Sequence, residues 1–291
     1  MASILNKIIK KELLPKDSFP HWIQKSVQYE AQVGSVAYGC STNTSDLDIY
    51  GFCFPPKNIV FPHTNGYLHG FDTIPKFDQW QQHHIKDNDK EYDITIYNII
   101  KYFKLCMDQN PNMVDSLFVP ADCILHITPI AGRIRAERQL FLSKGSYHKF
   151  RGYMHAQISK LDRKPEGKRK ESFERWGFDL KYAAHAVRLA DECEQILEFG
   201  DLNLRRTKEH LKAIRKGDVK LDDIRKWLTD KERHLGNLYQ KSKLRNTPDK
   251  PKIKELLLTY LEQYFGNLEK AEFVNPNKYQ TMIDQIKEIV K

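Results

Sequence analysis

Asp46 and Asp48 stand two apart at the head of a β-rich run, Asp46-Leu47-Asp48-Ile49-Tyr50. In a strand, residues i and i+2 point to the same face, so the two carboxylates would project together while Leu47 and Ile49 turn toward a core. Carboxylates held side by side repel unless a cation lies between them. Oxygen ligands of this kind suit Mg²⁺, which takes one or two carboxylates and fills its shell with water and phosphate oxygens. Ten residues separate Asp46 from an upstream Gly34-Ser35 pair. Gly34 would let the backbone approach a ligand closely. Ser35 and exposed N–H groups at a strand-to-helix turn would meet phosphate oxygens, with a short helix over 37–41 aimed at them. The G-x-x-x-x-G-K-[ST] phosphate loop is absent.

Two metal ions flanking a reacting phosphoryl group need a third carboxylate. Asp93, in the alternating stretch Glu91-Tyr92-Asp93-Ile94-Thr95-Ile96, is the candidate. Asp87, Asp89 and Glu91 lie near enough that a shift of strand register would change the choice. Lys181, His185 and Arg188 are spaced i, i+4, i+7 and share one helix face. Lys181 or Arg188 could neutralise phosphate charge there and His185 could contact phosphate or acceptor; the plain alternative is a solvated face. His83-His84 invites a metal reading, but adjacent side chains on a strand diverge and the polar surroundings read as a loop. Tyr38 reads as packing or as a base contact. Tyr147, Phe150, Tyr153, Phe173, Trp176 and Phe178 flank basic residues and read mainly as core.

The elements that must position these groups fall into two halves. Strands are expected over 29–33, 47–54 and 92–97, and a helix over 98–107 that stops at Asn110-Pro111-Asn112. From residue 178 onward apolar residues recur at three and four, predicting helices over 178–199, 221–238, 253–265 and 279–290. Gly200 is placed as a C-cap. Lys160 to Lys170 reads as an exposed linker. The expected architecture is a small α/β domain followed by an all-helical one.

The chain has 291 residues and a net charge of +9. Residues 1–150 carry only +1, whereas 151–291 carry +8 and 201–250 alone +7. A concentrated basic region attracts polyanions such as RNA, although lysine-rich solvated helix faces give the same count. Mean hydropathy is -0.63 and no apolar run is long enough for a membrane span. The first residues lack the unbroken apolar stretch of a secretion signal. The five cysteines are odd in number and form no C-x-x-C, which argues against a disulfide framework or zinc ribbon and for the cytoplasm.

The order Gly-Ser, Asp-x-Asp, then a later strand with one acidic residue resembles the DNA polymerase β nucleotidyltransferase superfamily. The likeness is closer to its branch of predicted nucleotidyltransferases found near RNA ligases. Gly34-Ser35-x-Ala37-Tyr38-Gly39 with Ser45-Asp46-x-Asp48-x-x-Gly51 carries it. So do Asn110-Pro111-Asn112 before Leu117-Phe118-Val119-Pro120, and Phe141-Leu142-Ser143-Lys144 before Tyr147-His148 and Gly152-Tyr153. Lys181-Tyr182-Ala183-Ala184-His185-Ala186-Val187-Arg188-Leu189 and Ile214-Arg215-Lys216-Gly217 add to it. The resemblance spans about residues 30–265.

It implies an α+β fold, with a polymerase-β-like catalytic domain on a small mixed sheet (residues 1–140) and an all-helical C-terminal domain (141–291). It implies Asp46 and Asp48 as ligands of two Mg²⁺ ions, for which Mn²⁺ could substitute. Asp93 would be a ligand of the catalytic ion and help to deprotonate an acceptor hydroxyl, and Gly34 and Ser35 would hold the triphosphate. The reaction class is transfer of a nucleoside monophosphate from a nucleoside triphosphate to a hydroxyl, with pyrophosphate released. An RNA end is the favoured acceptor, given the basic region. A protein or small-molecule acceptor, or a non-catalytic nucleotide- or RNA-binding protein, are the other readings.

Overall fold

The computed structural model describes residues 3–41, 46–163 and 170–266, except for the side chains of 171 and 172. Ser45, the helix expected over 279–290 and most of the expected linker lie outside the described residues. The strands are β1 (Val27–Gln32), β2 (Leu47–Cys53), β3 (Gln79–Asp87), β4 (Lys90–Asn98) and β5 (Ile124–Ile127). They form one sheet in the order β3-β4-β2-β1-β5. Only β2 and β4 run parallel, so the sheet is mixed.

Helices α1 (Ile4–Lys10), α2 (Ile23–Ser26) and α3 (Lys57–Val60) belong to the first strands, and α4 (Ile99–Met107), α5 (Pro111–Phe118) and α6 (Pro129–Ala136) to the last. The rest of the described chain has no strand. It holds α7 (Ser146–Ile158), α8 (Lys170–Trp176), α9 (Leu180–Phe199), α10 (Lys208–Lys216), α11 (Leu221–Lys241) and α12 (Lys250–Phe265). The fold is α+β, as the resemblance implies. Among the described residues no helix is long and apolar enough to cross a membrane.

Local chemistry sets the boundaries. Asn98 ends β4 and starts α4, its side chain accepting from the Ile100 N–H at 2.9 Å. Asp179 caps α9 by accepting from the N–H groups of Lys181 and Tyr182 at 2.9 and 3.1 Å. Gly200, in the left-handed region at φ 64°, ends it. Glu30 of β1 is fully buried and takes the N–H groups of Ile4 and Leu5 at 2.6 and 3.0 Å, serving as the anchor of α1. Burial pushes its carboxyl up, and these donors pull it back down.

Strand alternation divides the sheet into two faces. Ile49, Ile94 and Ile96, with Trp80 of β3 beside Ile96, sit on one, under Leu5, Ile8 and Ile23. Tyr29 and Phe52 sit on the other, in a cluster that also holds Tyr102, Phe103, Phe150 and Val187. That second cluster draws on residues from both sides of position 140. Residues one step out of phase with Ile49 and Ile94 therefore face the helices, and these are Asp48 and Asp93.

β2 is flanked on both sides, and Gly51 permits the closeness. A Cβ there would lie 2.2 Å from the main-chain oxygen of Tyr29 and 2.9 Å from Ile96 Cδ1. Backbone cannot yield as a side-chain tip can. Gly51→Ala is expected to destabilise the protein by about 1–3 kcal/mol, the usual range for overpacking, read as a lower urea midpoint with the slope unchanged.

Candidate active site

A cavity of about 390 Å³ opens between the sheet and the helices α9 and α10. Gly34, Ser35, Asp46, Asp48, Asp93, Lys181 and His185 all line it. The structure thus gathers these seven candidates in one place, together with Tyr38 and Arg188, which the sequence also singled out.

The sheet sets the acidic side. In the parallel ladder of β2 and β4, Asp48 is the direct partner of Asp93, and neighbouring strands lie about 4.8 Å apart. Asp46 sits just before β2. The Val33 N–H donates to the Asp48 carbonyl at 2.9 Å, tying the Gly-Ser segment to β2. Gly34 has φ 66°, and a Cβ there would come within 2.6 Å of Asp48 Oδ2. The helix expected over 37–41 does not form. Residues 34–39 make a run of turns, with Tyr38 N–H to Gly34 O at 3.2 Å and Cys40 N–H to Ser35 O at 2.9 Å. Gly39, at φ 68°, turns the chain before a helix can propagate.

The His83-His84 stretch is no loop: it belongs to β3 and carries a β-bulge opposite Asp93. The adjacent histidines do not diverge as expected, since both reach acidic residues of β4. His83 Nδ1 is 3.2 Å from Asp93 Oδ2, the His84 N–H donates to Asp93 Oδ1 at 2.8 Å, and His84 Nδ1 bonds to Glu91. Asp48 is held above the usual carboxylate range, first by burial, then by the charges of Asp93 and Asp46; Lys181 and His83 work the other way.

Helix α9 forms the opposite wall, with Lys181, Ala184, His185 and Arg188 facing the cavity at the spacing of one helix face. Arg188 departs from the expected role. It is 4% exposed, lies 4.4 Å over the Tyr38 ring and donates from Nη1 to the Tyr38 hydroxyl, to Asp115 of α5 and to Glu192. Tyr38 in turn donates to Asp115 at 2.7 Å. Burial opposes the charge on Arg188, but Glu192, Tyr38 and Asp115 outweigh it and raise its pKa further. Arg188 is committed to two carboxylates and ties Tyr38 of the turn after Gly34-Ser35 to α9.

Three residues of the cavity wall were given no site role in the sequence: Cys40, Leu211 and Arg215, the last quoted only within the Ile214-Arg215-Lys216-Gly217 motif of the resemblance. Arg215 of α10 shares the cavity wall with Cys40, whose thiol burial pushes up and the charges of Arg215 and Arg188 pull down. Its spacing does not distinguish it from the other basic residues of 201–250. Among the described residues no three His, Cys, Asp or Glu side chains are gathered tightly enough to hold a metal ion as they stand. Their chemistry nonetheless suits a hard cation: three carboxylates face one cavity, and the absent Cβ of Gly34 leaves room beside Asp48 Oδ2.

The family model of the RNA repair pathway DNA polymerase beta family matches residues 5–284. The chain belongs to that family, and it is a nucleotidyltransferase. Among solved structures it is similar to a nucleotidyltransferase-like protein from Exiguobacterium sibiricum 255-15, at 10% identity over 81% of this chain and 73% of that one, with a TM-score of 0.29. A likeness that loose carries no argument. No curated protein matches.

The raised Asp48 has a consequence for stability. Below the ordinary carboxylate range Asp48 is protonated in both folded and unfolded chains. Between that range and its raised folded value the folded chain binds more protons, so stability falls as pH rises through this window. Asp48→Asn removes the penalty at neutral pH. It is expected to raise Tm. In melts over a pH series that gain should shrink as pH falls toward the ordinary range.

Proposed function

We propose that this nucleotidyltransferase moves a nucleoside monophosphate from a nucleoside triphosphate to the hydroxyl of an RNA end and releases pyrophosphate. The observation that carries the reading is the pairing of Asp48 with Asp93 across the β2–β4 ladder, beside Gly34 and facing Lys181. The RNA acceptor is supported by the family's description and by the charge of +7 in 201–250.

In this reading Gly34 and Ser35 hold the phosphate tail through main-chain N–H groups and the Ser35 hydroxyl. Lys181 and Arg215 neutralise it from the helical wall, and His185 adds a polar contact. Asp46 and Asp48 would hold two Mg²⁺ ions, or Mn²⁺ in their place, and Asp93 one of them. When bound, those ions supply charge neutralisation between carboxylates and phosphate oxygens. Asp93 takes the proton of the acceptor hydroxyl as the hydroxyl oxygen bonds to the α-phosphorus. The bond from that phosphorus to the pyrophosphate oxygen breaks. Most of the catalysis is positioning and electrostatics, as in other phosphoryl transfers. Residues 1–140 are read as the catalytic part and 141–291 as the C-terminal part, whose described residues are helical and line the other side of the cavity. The five cysteines are all unpaired and buried, which fits a reducing cytoplasm.

Incubation with each α-³²P-labelled triphosphate, Mg²⁺ and pools of RNA and protein tests the reading. Label should enter RNA. Asp46→Asn and Asp48→Asn should each lower transfer more than about 100-fold with the melt retained, and full activity in both would sink the proposal. Arg215→Ala should raise KM for the triphosphate about tenfold, the size of one lost charge-assisted hydrogen bond. Reversing the exposed Lys216, Lys220 and Lys226 to Glu should weaken RNA binding and flatten its salt dependence. Label in protein alone would reassign the acceptor.

A further inference from the structure

The His83–His84 bulge is the feature that the reaction above leaves unused. In the β3–β4 ladder Gln82 pairs with Ile94 and Ile85 with Tyr92. Between those pairs β3 spends two residues, His83 and His84, against one on β4, and that one is Asp93. An extra residue of this kind re-aims side chains, and bulges concentrate beside active sites. His84 pays for it with a left-handed backbone, φ 57°, which a non-glycine residue adopts only when its surroundings hold it there.

The bulge brings two donors onto one carboxylate. The His84 N–H reaches Asp93 Oδ1 at 2.8 Å, and His83 Nδ1 lies 3.2 Å from Oδ2. A row of side chains along the outer face of β3 orients the His83 ring. Gln79 Nε2 donates to Gln81 Oε1 at 3.0 Å, and Gln81 Nε2 donates to His83 Nε2. With Nε2 accepting, the ring proton sits on Nδ1, the nitrogen facing Asp93. Each carboxylate oxygen has two lone pairs, so one donor on each leaves both oxygens able to ligate.

We propose that the bulge is a positioning device for Asp93: His83, set by Gln81, and the main-chain N–H of His84 fix the rotamer in which that carboxylate meets a metal ion at the cavity. The inference rests on Asp93 being the third carboxylate of the proposed site. His83 is a positioning residue, acting through Asp93 as outer-shell partners act through metal ligands elsewhere.

The test is Mn²⁺ alone, titrated into the full chain, with free Mn²⁺ read by electron paramagnetic resonance. His83 is 49% exposed, so its variants should fold, which a melt checks. His83→Leu should weaken Mn²⁺ binding about tenfold, with His83→Ala as its duplicate should leucine disturb the melt. His83→Asn, whose amide can donate from nearly the Nδ1 position, should recover most of the loss. Unchanged or tighter Mn²⁺ binding in His83→Leu would overturn the proposal, as would equal loss in His83→Asn and His83→Leu. Asp93→Asn separates the two levels of argument. If it binds Mn²⁺ like the wild type, the third-carboxylate reading itself fails. If it loses Mn²⁺ while His83→Leu does not, only the positioning role falls.

Discussion

Two carboxylates face one another because a backbone ladder puts them there. The parallel hydrogen bonds of β2 and β4 fix Asp48 opposite Asp93, and the isoleucines between them fix which way both point. Slipping the register by one residue would bury the charges under α1 and expose the isoleucines. The repulsion between the carboxylates is therefore borne by apolar burial on the far face. Lys181 and His83 relieve part of it, and burial with the neighbouring Asp46 and Asp93 still leaves Asp48 above its usual range. Carboxylates held this close cost stability, and a cation between them would relieve that cost.

The rest of the architecture presents the other half of the chemistry to that pair. Helix α9 is buried along most of its length, which lets it serve as a rigid wall, and it carries Lys181 and His185 toward the carboxylates. Arg188, one turn beyond His185, joins α9, α5 and the Gly-Ser turn through Tyr38, Asp115 and Glu192. Burial pushes the carboxyls of Asp115 and Glu192 up, and Arg188 opposes this. Such a buried cluster is weak as a source of net stability but strict in its geometry, because removing any one member strands the others. That strictness holds the Gly-Ser turn and the α9 wall at a fixed separation.

Much of this was legible in the sequence, for identifiable reasons. The Asp-x-Asp pair and Asp93 sit in segments where apolar and polar residues alternate, so strand and face could be read together, and the Gly-Ser pair marks itself by its turn residues directly after an apolar strand. Helix α9 announces itself by its apolar spacing and by Gly200. What was missed lacks periodicity. β3 buries only Trp80 and Ile85 well, and the bulge between them breaks the alternation, so it resembles a polar loop. β5 is four residues long. Arg188 reads as a surface cation because its partners, Asp115 and Tyr38, are remote in sequence. Arg215 is one basic residue among many until the fold turns it toward Cys40. The short helix after Ser35 was expected from a general habit of phosphate sites, and Gly39 overrides it.

Two carboxylates of the sheet, Asp48 and Asp93, and Asp46 just ahead of β2 are proposed to hold metal and nucleotide together. The most direct test is a crystal structure with Mn²⁺ and a non-hydrolysable triphosphate analogue, read by anomalous scattering. The account predicts two manganese peaks about 3.5–4 Å apart, ligated by Asp46, Asp48 and Asp93, with the phosphate tail against Gly34 and Ser35. Manganese bound away from these carboxylates, or a nucleotide seated outside this cavity, would contradict it.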